Sequence, residues 1–498
     1  MSSMVNQGVF EEITKEQATP EELQNIIGSK WVHREKGDEV RCRIVGLGYD
    51  ENIKDEDDIY ASTPLFAILR VILAIAIAKD WLIKVGDIST AFLHALVASA
   101  TGILLRPPKE FYPEGNILWR LKKAMYGLRS SPKAWQDHLA SILQQLGYIR
   151  LVSEPNVFKH PKGKAYIMVY VDDLLFVGES SEINKIFEEI QKHLLLRETG
   201  IAHPGKTISF LGRKITHQGS HFDITLGESY VQNILEEAEL TKCNPSPTPG
   251  STTSKETVED EELLDIDQHR LYRRLVGKLQ WLSYTRPDMA YSITELARAI
   301  QQPSIKDQKK LKHCIRYLAG TSNYKFSIRP TIRINSRDST PLDLNIFVDS
   351  DWAGCHQTRK STTGFIIQFL GTTIHFGSRT QAVVALSSAE AEFYAIGTGT
   401  QEGLYIRNFL QEALVNHKII IKINTDSTAG KSMATRQGVS KRAKHIELKF
   451  MFIQQLVQDG IISTHKVPTK DNLADILTKY TTREVLQWLL YGVGINQH

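Results

Sequence analysis

Between Tyr166 and Gly178 an apolar, strand-forming run is interrupted by the adjacent acids Asp172 and Asp173 and then resumes. β-Branched and aromatic residues on both sides predict two strands closed by the two-residue turn Asp172-Asp173, which lacks the glycine that tight hairpins favour. Upstream, Trp81-Leu-Ile-Lys-Val-Gly-Asp87 predicts another strand ending in an acid. The stretch from Leu65 to Ala78, broken only by Arg70, predicts a buried helix capped by Thr63 with Pro64 in its first turn. It is too short to span a bilayer. After Ser131, helical spacing puts Trp135, Leu139, Ile142, Leu143 and Leu146 on one face, with Pro132 in the first turn and Gly147 at the end. That face is core rather than function.

Downstream the pattern changes. From Asn244 to about Glu262 a Pro- and Ser-rich stretch followed by acids shows no apolar periodicity, which predicts a poorly ordered linker and a domain boundary. Helical spacing returns over 267–284, 289–301 and 304–319. In the last of these Leu311, Cys314, Ile315 and Leu318 make an inward stripe, and Lys306, Lys309, Lys310, His313 and Arg316 a basic outer face. Such a face is either solvated only or a phosphate contact. From about Asp343 the order strand, hairpin, helix, strand, helix predicts an α/β domain, antiparallel first and parallel later.

Composition bounds the rest. A chain of 498 residues has room for two or three domains with separate cores. Its net charge is only +4, so a nucleic-acid surface would have to come from local clustering. Cys42, Cys243, Cys314 and Cys355 form no C-x-x-C pair, which argues for a reducing compartment and against structural zinc. The N-terminus has no basic-then-apolar signal pattern.

By themselves, two acids at a hairpin tip are no more than turn residues. A third, Asp87, at a neighbouring strand end changes the reading. Mg²⁺ prefers oxygen ligands and keeps several waters, so two or three carboxylates plus substrate phosphates suffice to hold it. Two such ions about 3.5 to 4 Å apart serve both oxygens of an in-line displacement.

Three blocks resemble reverse-transcriptase palm motifs: Val85-Gly-Asp87-Ile-Ser-Thr-Ala-Phe92-Leu-His94, Met125-Tyr-Gly-Leu-Arg-Ser-Ser-Pro-Lys-Ala-Trp135 and Tyr170-Val-Asp-Asp173. They are most similar to the Pol polyproteins of copia-type long-terminal-repeat retrotransposons. Phe210-Leu-Gly212, Tyr272-Arg-Arg-Leu-Val-Gly-Lys-Leu, Thr285-Arg-Pro-Asp288 and Asp349-Ser-Asp-Trp-Ala-Gly354 follow in family order. The resemblance runs from about Trp31 onward.

It implies a multidomain α+β and α/β chain with a right-hand polymerase palm and fingers, a helical thumb or connection, and a ribonuclease H-like mixed-sheet domain. The expected boundaries are 1–243 for fingers and palm, 244–266 for the linker, 267–340 for the helical connection and 341–498 for the ribonuclease H-like domain. Asp87, Asp172 and Asp173 would hold the polymerase metals. Phe92 would exclude a sugar 2′-hydroxyl, with core packing as the alternative. Tyr126 and Gly127 would lie beside the incoming nucleotide, and Phe210-Leu-Gly212 would position the primer end. Arg41 and Arg43 would clamp the triphosphate, a task suited to guanidinium. Leu47 stands where the family pattern has lysine, and the region before Trp31 is short for the family.

For the nuclease the resemblance implies four acids: Asp349, Glu392, Asp426 and Asp475. Glu390 competes with Glu392, but Ser387 and Glu390 fit a capping box, which gives Glu390 a structural task. Asp351 would share a face with Asp349 without serving as ligand, and Asp471 would cap the helix that carries Asp475. His465 is a candidate proton carrier or an ordinary strand-end histidine. Thr358-Arg359-Lys360-Ser-Thr-Thr-Gly364 is a basic, hydroxyl-rich turn suited to phosphate oxygens.

The function implied is an RNA-directed DNA polymerase with ribonuclease H activity, using two Mg²⁺ per site with Mn²⁺ as substitute. Its partners would be an RNA template, DNA, the RNA–DNA hybrid, dNTPs and a primer, a tRNA by expectation, with no membrane. Its place would be cytoplasmic, in virus-like particles, with access to the nucleus. The competing reading, favoured by Leu47 and the short N-terminal region, is a decaying or domesticated copy that binds nucleic acid without polymerising. No aspartic-protease motif, zinc knuckle or His-His-Cys-Cys site occurs in the sequence.

Overall fold

The computed structural model describes residues 1–36, 39–51, 59–97, 102–251, 261–335, 339–355, 357–435 and 447–497; the side chains of 36, 39, 41 and 447–450 also fall outside the description. Two compact units emerge: Met1–Pro64 with Leu82–Gly200, and Leu65–Trp81 with Ile201–His498.

In the first unit a six-stranded sheet runs in the order Leu196–Ile201, Leu82–Ile88, Asp173–Gly178, Ala165–Tyr170, Val157–Lys159, Ile149–Arg150. The hairpin register pairs Ile167 with Phe176 and Val169 with Leu174, so these four share one face. That face packs on Trp135, Leu139 and Leu143 of the helix Ser131–Gln145 and on Ile183, Phe187 and Ile190 of the helix Ser180–Gln191. The expected helix after Ser131 thus forms, with Gly147 beyond its end at φ +87°. A smaller sheet built from Phe10–Thr14, Ile117–Leu121, Leu104–Leu105 and Ile26–Ile27 surrounds Trp119, and Ser29–Lys36 pairs with Glu39–Gly46 as a separate hairpin.

The apolar helix Phe66–Lys79 belongs to the second unit, although it is numbered among the first 243 residues. It starts later than expected: Leu65 is its N-cap, no side chain caps it, and Thr63 and Pro64 lie outside it. Every residue from Ala67 to Ala78 is buried, because a helix apolar on all sides satisfies itself only inside a core. It packs against the strands Thr372–Thr380 and Lys325–Ile328. Arg70 is accommodated by donating to the carbonyl oxygens of Tyr284 and, at 3.1 Å, Ile374. Its guanidinium lies 4.6 Å from the Phe66 and Phe326 rings and 4.8 Å from Phe376. Burial lowers its pKa to about 9.

The 244–262 segment is not the loose linker its composition suggests, as far as it is described. Ser246 is buried and bonds His313 Nε2 through Oγ at 2.9 Å, while Arg316 Nε donates to the Asn244 oxygen at 2.6 Å. Two residues of the expected basic face of the helix Ile305–Gly320 therefore hold this strap. Residues 252–260 lie outside the description.

The last sheet has the order Thr372–Thr380, Thr362–Phe369, Leu342–Ser350, Ile419–Thr425, Ile462–Lys466. Its first two pairings are antiparallel and the next two parallel, as the sequence pattern predicts. The helix Ser388–Ala413 crosses it closely: a Cβ at Gly399 would fall 2.6 Å from Val348, and one at Gly403 2.2 Å from Ile346. Among the described residues no helix is long and apolar enough to cross a membrane.

Candidate active sites

The hairpin that carries the acid pair closes differently from expectation. Tyr170 pairs with Asp173, so the turn residues are Val171 and Asp172, and Asp173 already belongs to the second strand. Val171 has φ +54°, a left-handed conformation that a β-branched residue rarely adopts. Two bonds hold it there: Trp135 Nε1 donates to the Val171 oxygen at 2.7 Å, and the Ile88 N–H to the Asp172 oxygen at 2.8 Å. On the other side of Asp173 the strand Leu82–Ile88 pairs so that Asp87 is directly opposite. Directly opposed residues share a face, about 4.5 to 5.5 Å apart at Cβ.

Asp87 acts on both paired acids. Burial, then Asp87 and Asp172, pushes the Asp173 carboxyl up to about 6. Burial and Asp87 likewise raise Asp172, against the pull of Arg43. Arg197 Nη2 lies 3.8 Å from Asp87.

Phe92 stands in the short turn Ala91–His94, its ring centroid 4.9 Å from that of Tyr126 at 70°. The Arg43 guanidinium lies 4.9 Å from the Tyr126 centroid, a cation–π contact. Gly127 has φ +94°, and a Cβ there would sit 2.2 Å from the Gly46 oxygen, so only glycine allows this approach of Gly46 to the 126–127 segment. The side chain of Arg41 lies outside the described residues. Leu211 and Gly212 turn the Thr207–Phe210 hairpin in the second unit, both at positive φ.

In the last sheet a second acidic group forms. Asp349 is the penultimate residue of the strand Leu342–Ser350, Asp426 follows the end of the neighbouring parallel strand, and Glu392 reaches in from the first turns of the helix Ser388–Ala413. These three present oxygens that all lie within 4.8 Å of one another. Among the described residues it is the group of three or more potential metal ligands that meets this distance. Burial, then Asp349 and Asp426, raises the Glu392 carboxyl to about 8, and burial and Asp349 raise Asp475 to about 6. Glu392 Oε2 and Asp475 Oδ1 are buried without a hydrogen-bond partner. Largely buried, oxygen-only and under-satisfied at Glu392 and Asp475, this donor set fits a hard divalent cation.

Glu390 turns away from the acids, but not into the expected capping box: its Oε2 accepts from the Leu386 N–H at 3.0 Å and not from the Ser387 N–H, while Ser387 Oγ accepts from the Glu390 N–H at 3.2 Å. Asp351 is engaged by Thr362, through both its backbone N–H and its hydroxyl. The cap of the turn Leu473–Leu477 is Asn472, not Asp471, which ends the preceding turn. Asn472 Nδ2 also donates to the Val348 oxygen at 3.0 Å and to Asp426 at 3.3 Å.

The 358–364 segment is less of a phosphate turn than its composition suggests, because Ser361, Thr362 and Thr363 are buried. Exposed Arg359, at φ +54°, and half-exposed Lys360 remain on the turn. Among the described residues the cation that reaches the acids is instead Lys479, 3.0 Å from Asp475, beside Thr478, whose hydroxyl donates to Asp349. His465 is exposed and shares a 2.8 Å hydrogen bond with Ser463. Asn472, Thr478 and Lys479 escaped the sequence reading; their only signal was proximity to Asp475.

The family described as "Reverse transcriptase (RNA-dependent DNA polymerase)" matches residues 16–252. The "Retrovirus-related Pol polyprotein from transposon RE1" of Arabidopsis thaliana is 27% identical over 487 residues, 95% of this chain and 32% of that protein. The polyprotein from transposon TNT 1-94 of Nicotiana tabacum is 28% identical over 492 residues, 94% of this chain and 36% of its own length. The "Uncharacterized mitochondrial protein AtMg00810" of Arabidopsis thaliana is 32% identical over 241 residues, 48% of this chain and 92% of that protein. Among solved structures, a foamy viral protease-reverse transcriptase in complex with double-stranded DNA matches with TM-score 0.56 and 12% identity, covering 94% of this chain and 68% of that one.

The chain belongs to the copia-type retrotransposon Pol polyproteins, and its residues 16–252 are their reverse transcriptase part. It spans about a third of the length of the polyproteins it matches. Its fold is that of a reverse transcriptase with a ribonuclease H-like domain.

Proposed function

We propose that this chain is an RNA-directed DNA polymerase that also cleaves the RNA strand of RNA–DNA hybrids. What supports the reading most is that one chain carries two separate groups of acids, one at a hairpin tip and the strand beside it and one gathered from two strands, a helix and a turn, each with raised carboxyl pKa values. In this reading residues 1–243 supply fingers and palm, 267–340 the connection and 341–498 the nuclease. Asp87, Asp172 and Asp173 would hold Mg²⁺ at the first site, and Asp349, Glu392, Asp426 and Asp475 at the second. Such ions, when bound, supply Lewis-acid stabilisation of phosphoryl oxygens and a more acidic attacking group.

The chain's own residues do the positioning. Arg43, stacked on Tyr126, offers a guanidinium to a triphosphate, and Arg41 would act beside it. Phe92, braced edge-on by Tyr126, leaves a sugar no space for a 2′-hydroxyl. The primer 3′-hydroxyl gives up its proton and attacks the α-phosphate in line, and pyrophosphate leaves; at the second site water attacks a phosphate of the RNA strand, and the P–O bond to the ribose 3′-oxygen breaks, that oxygen taking up a proton to leave a 3′-hydroxyl and a 5′-phosphate. Arg359 and Lys360 would contact hybrid phosphates, and recognition would rest on groove shape and 2′-hydroxyls. RNA template, DNA, dNTPs and a tRNA primer are the partners, in cytoplasmic virus-like particles. Primer extension on poly(rA)/oligo(dT) with Mg²⁺ tests the first activity directly: label incorporation is expected, and its absence with both Mg²⁺ and Mn²⁺ contradicts it.

A further inference from the structure

Asp349, Glu392 and Asp475 are only 4, 8 and 6% exposed, and Asp426 presents an oxygen to the first two. Carboxylates gathered out of water need a counter-charge. Among the described residues the cation within 4 Å of any of them is Lys479: its Nζ is 3.0 Å from Asp475 Oδ2 and 3.7 Å from Asp349 Oδ2. Local structure puts it there. The backbone N–H of Lys479 donates to the Asp475 oxygen at 3.3 Å, one turn back, and the preceding Thr478 is tied through its hydroxyl to Asp349.

The two ends of this ion pair differ. The acids are buried, but the Lys479 side chain is 47% exposed, so its flexible stem can carry the ammonium into water without unpacking anything. The Arg286–Asp288 pair of the same unit is built otherwise, with side chains 4 and 0% exposed and the guanidinium also bonded to the Thr321 oxygen and hydroxyl. That pair is locked; Lys479 is held at one end only. A divalent cation on Asp349 or Asp475 would occupy the oxygens that now face Nζ, and like charges at that separation repel strongly.

We propose that Lys479 is an exchangeable internal counter-cation of the nuclease site. It neutralises Asp349 and Asp475 when no divalent ion is present, swings out when one binds, and thereby sets the metal concentration at which the site fills. The proposal rests on the reading that these acids hold divalent ions. Lys479 is a positioning residue in this scheme: it acts through the carboxylates and touches no reacting atom.

The test compares the full chain with Lys479→Met and Lys479→Arg, reading Tm in EDTA and in saturating Mg²⁺, and Mn²⁺ affinity by calorimetry. Lys479→Met should melt earlier in EDTA, recover in Mg²⁺, and bind Mn²⁺ about tenfold more tightly at one site. Lys479→Arg, which keeps the charge, should stay near wild type in EDTA. Lys479→Gln serves the same comparison if the Met variant does not fold in EDTA. A Tm loss equal with and without metal, or Mn²⁺ affinity unchanged or weakened, overturns the proposal. Glu392→Gln separates the two levels. Mn²⁺ binding that it leaves untouched removes the metal reading itself, whereas binding that it abolishes but Lys479→Met does not alter removes the role of Lys479 alone.

Discussion

Replacing Glu392 by Gln should stabilise the metal-free protein. The carboxyl is held at about 8, first by burial and then by Asp349 and Asp426, against an ordinary value of 4.5. Its folded pKa is thus raised, so the associated stability is complete below about pH 4.5 and is lost progressively as the pH rises toward 8. At pH 7 the interval above 4.5, at 1.36 kcal/mol per unit, amounts to about 3 kcal/mol; at pH 5 it is about 1 kcal/mol. Glutamine is isosteric and uncharged and does not incur that loss. For a domain of this size the pH 7 value corresponds to a Tm about 6 to 12 °C above wild type. The assay is thermal unfolding of wild type and variant in EDTA at pH 5, 6 and 7. Saturating Mg²⁺ should shrink or invert the gap, because the ion offsets the same repulsion in the wild type. A variant less stable than wild type in EDTA at pH 7, or an advantage that does not shrink toward pH 5, refutes the reasoning.

Phe92→Ala should raise ribonucleotide incorporation relative to dNTPs in primer extension, and unchanged discrimination leaves Phe92 a packing residue. Gly127→Ala should destabilise the first unit by about 1 to 3 kcal/mol or more, since its Cβ would meet the Gly46 oxygen at positive φ; an unchanged melting profile contradicts the close approach. Ser387→Ala should cost about 0.5 to 2 kcal/mol through the lost cap, while Glu390→Gln leaves hybrid cleavage intact; loss of cleavage in Glu390→Gln would move the ligand assignment from Glu392 to Glu390.

Legibility in the sequence followed the range of the interactions. Alternation and helical spacing sufficed for the Tyr166–Gly178 hairpin, the Ser131 helix and the antiparallel-then-parallel sheet, because each is a local pattern. That Glu390 turns back toward the helix start was legible because its contacts lie within one helical turn, whereas its partner, the Leu386 N–H in place of the Ser387 N–H, was not. The position of the turn at Val171 was not legible: turn propensity favours Asp-Asp, and tertiary bonds from Trp135 and Ile88 hold valine where glycine would be chosen. Nor was the partner of the Phe66–Lys79 helix, since an apolar run states that it is buried but not against what. The strap at 244–251 has a linker's composition, yet its backbone and Ser246 find partners on a helix about 70 residues away. No local pattern singles out Lys479, because the buried Asp349 that it faces comes from a strand distant in the sequence.

The central claim is that one chain holds two independent phosphoryl-transfer sites. A single reaction tests it, in which a labelled RNA template annealed to a DNA primer reports extension and RNA cleavage together, for wild type, Asp172→Asn and Glu392→Gln. The account predicts both products from wild type, cleavage without extension from Asp172→Asn, and extension without cleavage from Glu392→Gln. Loss of both activities in either variant while it remains folded, or extension at the wild-type rate by Asp172→Asn, would contradict it.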